Sequence, residues 1–63
     1  MMNTDFEKLV GTEVTILLKG QIKNVYILQV GDGDVWFEYE DENEDLKTGV
    51  MKEEAFNTAF NRE

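Results

Sequence analysis

Hydrophobic and polar positions alternate with a period of two through the middle of the chain. Val14, Ile16 and Leu18 are interleaved with Glu13, Thr15 and Leu17, the pattern of a half-buried strand. Lys19-Gly20 reads as a turn. Residues 21–30 form the longest β-rich run, with Val25, Tyr26, Ile27, Leu28 and Val30 apolar on both faces. A central strand, a bent barrel strand or a strand in a dimer interface would each explain that. Gly31-Asp32-Gly33-Asp34 predicts a hairpin turn, because Gly and Asp tolerate positive φ. In the strand that follows, residues 35–40, the pleat places Val35, Phe37 and Tyr39 on one face and Trp36, Glu38 and Glu40 on the other. Residues 41–45 read as an acidic loop, and 46–51 as a short fourth strand that Gly49 would weaken.

Both ends of the chain leave this period. Thr4-Asp5-Phe6-Glu7 matches a capping box, and Phe6, Leu9 and Val10 then share one face of a short helix that Gly11 would stop. Residues 52–61 predict a second helix, with Ala55, Phe56, Ala59 and Phe60 in one apolar stripe. Glu53 and Glu54 open it and Arg62 closes it, as the helix dipole favours. The expectation is a single α+β domain over residues 1–63: short N-terminal helix, antiparallel meander of three to four strands, C-terminal helix.

Size and composition narrow the chemistry. A chain of 63 residues buries about 60% of its unfolded surface, enough for one thin core. It leaves little room for an enclosed substrate pocket of several hundred Å³. The sequence contains no His, Cys, Pro or Ser. Disulfides, zinc and iron–sulfur sites built on thiolates or imidazoles, and Ser-His or Cys-His nucleophiles are therefore excluded. No enzyme activity and no cofactor are expected. No apolar run approaches a membrane span, and the start lacks a basic region followed by an apolar stretch, so a cytoplasmic protein with no membrane partner is the expectation. Lacking disulfides and metals, so small a domain often gains stability from a second copy.

The charge is unevenly placed. Residues 1–31 carry Asp5, Glu7 and Glu13 against Lys8, Lys19 and Lys23. The whole net charge of -8 thus falls in residues 32–63. It is densest in 32–45, where Asp32, Asp34, Glu38, Glu40, Asp41, Glu42, Glu44 and Asp45 stand without a Lys or Arg among them. Such an excess opposes direct binding to DNA, RNA or anionic lipid. A solvated acidic face is one reading of it.

A more specific reading comes from the strand that carries Trp36, Glu38 and Glu40. Alternate residues of a strand stand about 6.7 Å apart. That is of the order of the spacing of phosphates on a nucleic-acid strand, which advance about 3.4 Å along the axis per step while rotating around it. A strand can thus hold acids where a DNA-binding protein expects phosphates. Acids 41–45 and the turn acids Asp32 and Asp34 would extend the row, and Trp36 would anchor it. The competing reading places Trp36 beneath a helix or in a dimer, with the acids simply solvated. Gly31-Asp32-Gly33-Asp34 is no phosphate loop, because it lacks the following Lys and Ser/Thr and its carboxylates would repel a phosphate. Asp41-Glu42-Asn43-Glu44-Asp45 starts like an EF-hand loop, but Leu46 stands where Gly is required and Lys52 where Glu is required, so no metal site is expected.

Phe6-Glu7-Lys8-Leu9-Val10-Gly11-Thr12-Glu13-Val14-Thr15-Ile16-Leu17-Leu18-Lys19-Gly20 resembles the entry into Sm-like and SH3-like small barrels. That resemblance implies a sheet closed into a small barrel. The second Sm signature is missing, so no RNA contact follows from it. In size, charge and strand-borne acids the whole chain is similar to small acidic phage proteins that mimic DNA. That likeness implies an inhibitor of a host nucleic-acid-binding protein: a nucleoid protein, RNA polymerase, a restriction enzyme or a CRISPR effector. It transfers no residue position by position. The expected function is an acidic binding protein that presents Asp32, Asp34, Trp36, Glu38, Glu40, Asp41, Glu42, Glu44 and Asp45 to a basic nucleic-acid-binding protein. A homodimer would double the track. The alternative is a small interaction module that docks through residues 21–30 and uses its acids only for solubility.

Overall fold

A computed structural model describes residues 5–61. Four strands, β1 (Glu13–Leu18), β2 (Gln21–Gly31), β3 (Asp34–Glu40) and β4 (Leu46–Lys52), form one antiparallel sheet in sequence order. A single 3-10 turn (Phe6–Leu9) precedes them and one helix, α1 (Glu53–Phe60), follows. The architecture is α+β.

Two tight turns set the register. Lys19 and Gly20 adopt φ of 50 and 79°, and Asp32 and Gly33 adopt 54 and 79°. Positive φ at both central residues is the two-residue hairpin geometry whose twist matches the strands. Leu18 therefore pairs with Gln21, and Gly31 with Asp34. In β2 the ladder slips by one between Ile27 and Gln29, which leaves Leu28 as a bulge residue. That slip explains why residues 21–30 look apolar on both faces. Val30 pairs with Val35 on one side of the bulge and Ile27 with Phe37 on the other, so all four point the same way. Were Leu28 paired in the ladder instead of bulged out of it, Leu28 would stand opposite Phe37 and Ile27 opposite Glu38.

The inner face carries the core. Ile16, Val25, Ile27, Val35 and Phe37 are buried there beneath Phe6, Phe56 and Ala59. Phe6 stands edge-on to Phe56 (centroids 4.9 Å apart) and to Phe60 (5.5 Å), and Phe56 meets Phe37 at 5.5 Å. Edge-to-face pairs of this kind add to simple area burial. Gly49 lies directly under the ring of Phe37: a Cβ there would come within 2.7 Å of Phe37 Cζ. The glycine expected to weaken β4 is what lets the aromatic ring lie flat on the sheet. The amide of Glu53 donates to the Gly33 carbonyl at 2.7 Å and ties the start of α1 to the β2–β3 turn.

Three expectations change. The N-terminal helix is only a four-residue 3-10 turn. The proposed cap Thr4 lies outside the described residues. Asp5 at the cap position makes no side-chain bond, and Gly11 turns the chain at φ 86°, so too few residues remain to propagate an α-helix. The barrel is not closed: β1 and β4 are the two edges of the sheet, and α1 packs against β1, β4 and β3. Ala55 is exposed rather than part of the buried stripe of α1, and Arg62 lies outside the described residues.

Candidate interaction surface

The outer face of the sheet, opposite α1, is where alternation brings the sequence candidates together. Trp36, Glu38 and Glu40 share it, with Trp36 and Glu38 half-buried and Glu40 exposed. Register then supplies neighbours. Glu38 is flanked by Tyr26 of β2 and Thr48 of β4, Trp36 by Gln29 and Val50, and Glu40 by Leu46. Beyond Tyr26 lies Glu13 of β1. The result is a row Glu13–Tyr26–Glu38–Thr48 across all four strands. Facing residues are separated by roughly 5 Å per strand.

Among the described residues no element covers this face, and it mixes exposed apolar side chains with polar ones. Ile22, Tyr26, Leu46 and Val50 are 57, 43, 64 and 54% exposed, and Leu17 stands opposite Ile22. Glu13, Ile22, Tyr26, Glu38, Glu40 and Leu46, together with one cation, Lys23, line an open depression of about 620 Å³. None of its three glutamates forms an ion pair among the described residues. By register Lys23 pairs with Ile16 and Lys47 with Tyr39, both inward positions, although Lys23 also lines the depression. Only Lys52 shares the outer face, at its far end, and its Nζ is 3.5 Å from Asp34 Oδ1.

The remaining candidates divide. Asp34 lies on the outer face, but Lys52 offsets its charge. Asp32 is exposed in the β2–β3 turn. Glu42, Glu44 and Asp45 are exposed in the β3–β4 loop. Asp41 is different. Its Oδ1 accepts the amides of Asn43 (2.8 Å) and Asp45 (3.0 Å), and Lys47 Nζ lies 3.8 Å from Oδ2. The Asp45 amide holds this carboxyl below its usual value, partial burial opposes that, and the Asn43 amide with Lys47 and Lys23 adds to the lowering. Asp41 therefore holds the loop in shape rather than presenting its charge outward. No group of three or more carboxylates among the described residues is placed to hold a metal ion. No helix of the described residues is long and apolar enough to cross a membrane, which leaves strands out of consideration.

Glu13, Leu46 and Val50 were not among the expected binding residues, and Ile22 and Tyr26 were expected only under the alternative that docks through residues 21–30. Glu13 was within reach, because the Lys19-Gly20 turn alone fixes the pairing of Glu13 with Tyr26. Placing Tyr26 beside Glu38 needs the bulge, which no residue type announces. Comparison with known protein families, with curated proteins and with solved structures finds no match to this chain.

Proposed function

We propose that the protein is an acidic binding protein that occupies the basic nucleic-acid-binding surface of another protein. The observation that carries this reading is the segregation of charge across one sheet. Glu13, Glu38 and Glu40 take outward register positions around Tyr26 and Trp36, while Lys23 and Lys47 take inward ones, and Lys23 is the one cation that lines the depression beside the glutamates. Glu42, Glu44 and Asp45 continue the acidic track past the end of β3, and Asp32 marks its other end. Opposite charge on the target would speed encounter and make affinity fall with salt.

The test is capture from a bacterial lysate on the immobilised protein. A basic DNA-binding protein that elutes with salt and is displaced by duplex DNA is the expected result. Glu38→Lys combined with Glu40→Lys should abolish that capture.

A second reading has its own support: Ile22, Tyr26 and Leu28 of β2 are exposed, as an interaction module docking through β2 would require. Its acids would serve solubility alone. Under that reading the charge-reversed variant would keep its partner, and salt would change little.

A further inference from the structure

We propose that the element of the target seated on the outer face is a basic amphipathic helix. The inference rests on the binding function proposed above and specifies what the surface receives. A pure polyanion would need only charge. This face instead alternates acids with exposed apolar side chains: Ile22, Tyr26, Leu46 and Val50 stand open to water beside Glu13, Glu38 and Glu40. A ligand that fits both must carry an apolar stripe bordered by cations. At the Glu13–Tyr26–Glu38–Thr48 row, where all four strands lie side by side, strands about 4.8 Å apart give a width of roughly 14 Å, which matches a helix about 10–12 Å in diameter. The depression of about 620 Å³ between Ile22, Tyr26, Glu40 and Leu46 gives that helix a seat. Apolar residues at i, i+3, i+4 and i+7 would meet Tyr26, Trp36, Leu46 and Val50, and flanking Lys or Arg would reach the glutamates.

Charge decides against the other occupants of an apolar face. A second copy would set three glutamates, none ion-paired among the described residues, against three more, on a molecule of net charge -8. Nucleic acid and anionic lipid are repelled in the same way.

The probe is a Leu/Lys peptide of about 18 residues, long enough to form a helix in water, patterned with one apolar stripe. Its comparators are a scrambled peptide of identical composition and an oligolysine of equal charge. Trp36 is the sole tryptophan and lies on this face, so its emission reports occupancy, while amide chemical shifts map the contact. We expect the patterned peptide to bind about tenfold or more tighter than either comparator, the size of effect that buried anchor residues produce. Its shifts should centre on Tyr26, Trp36, Leu46 and Val50. Leu46→Ser with Val50→Ser should remove that preference. Equal binding of all three peptides, with shifts centred on residues 41–45, would overturn the helix and leave the acidic binding function standing. Self-association of the free protein that shifts Trp36 emission would assign the face to a second copy and overturn it as well. Loss of charge-reversal sensitivity in the lysate capture strikes the functional reading itself, independently of any peptide result.

Discussion

On the inner face of the sheet, Ile16, Val25, Ile27, Val35 and Phe37 lose nearly all contact with water beneath Phe6, Phe56 and Ala59. On the outer face, Leu17, Ile22, Tyr26, Leu46 and Val50 keep two fifths or more of their surface exposed. Both faces are built by the same alternation from the same strands. What separates them is supply. After four strands, the described chain retains one 3-10 turn and one eight-residue helix as cover, and both go to the side where the phenylalanines meet. Alternation assigns a side chain to a face; it does not say whether anything covers that face. The exposed apolar side chains on that outer face are what the proposed contact would use.

The largest effect that would break this contrast lies in the core. Phe56→Ala removes the ring that contacts both Phe6 and Phe37, and should cost about 3–5 kcal/mol. Domains this small hold roughly 0.05–0.15 kcal/mol per residue, so that loss is a third or more of the whole and the urea midpoint should fall sharply. Gly49→Ala should cost about 1–3 kcal/mol by overpacking. The new methyl collides with Phe37, and Phe56 above that ring gives it nowhere to move. A midpoint equal to that of the parent would mean that the ring is free to shift.

A smaller effect is expected at the β3–β4 loop. Asp41→Ala removes the acceptor of two amides, so hydrogen exchange at Asn43 and Asp45 should quicken while the core stays protected. The pH dependence has a definite sign. The Asp41 carboxyl is held below its usual 3.8, so the loop is fully stabilised above that pH. The contribution is lost as pH falls through the lower, folded value. Protection of the same two amides in acid, followed by NMR, reads it directly.

The smallest effect sharpens the comparison from the other side. Val50→Thr on the outer face should change stability by no more than about 0.5 kcal/mol, because the side chain is already more than half exposed. Should denaturation show a loss comparable to that of a core substitution, the outer face would have to be covered in solution.

Much of this was written in the residues. Lys19-Gly20 and Asp32-Gly33 mark both tight turns by their tolerance of positive φ, and the alternation of Val35, Phe37 and Tyr39 with Trp36, Glu38 and Glu40 sorts β3 correctly. The parts that were not legible depend on distant partners. Gly49 looks like a weak strand residue until Phe37 is seen lying on it. Asp41 looks like one acid of a run until its oxygen is seen to collect two amides. The N-terminal pattern suits a helix, but the chain has only four residues to spend before Gly11 turns it into β1. The open barrel likewise reflects α1 occupying the side on which β1 and β4 would have to meet.

Leu28 has a consequence for how the molecule could be altered. It is the one position in β2 whose removal would restore an unbroken ladder, since Gln29 already faces Trp36 and Ile27 already faces Phe37. A chain shortened at that point would keep every other side chain on its present side while relaxing the local kink and coil that an extra residue imposes. Curvature and composition of the dish above Tyr26 are therefore separable by a single deletion, and shape can be varied there without changing Tyr26, Trp36, Leu46 or Val50.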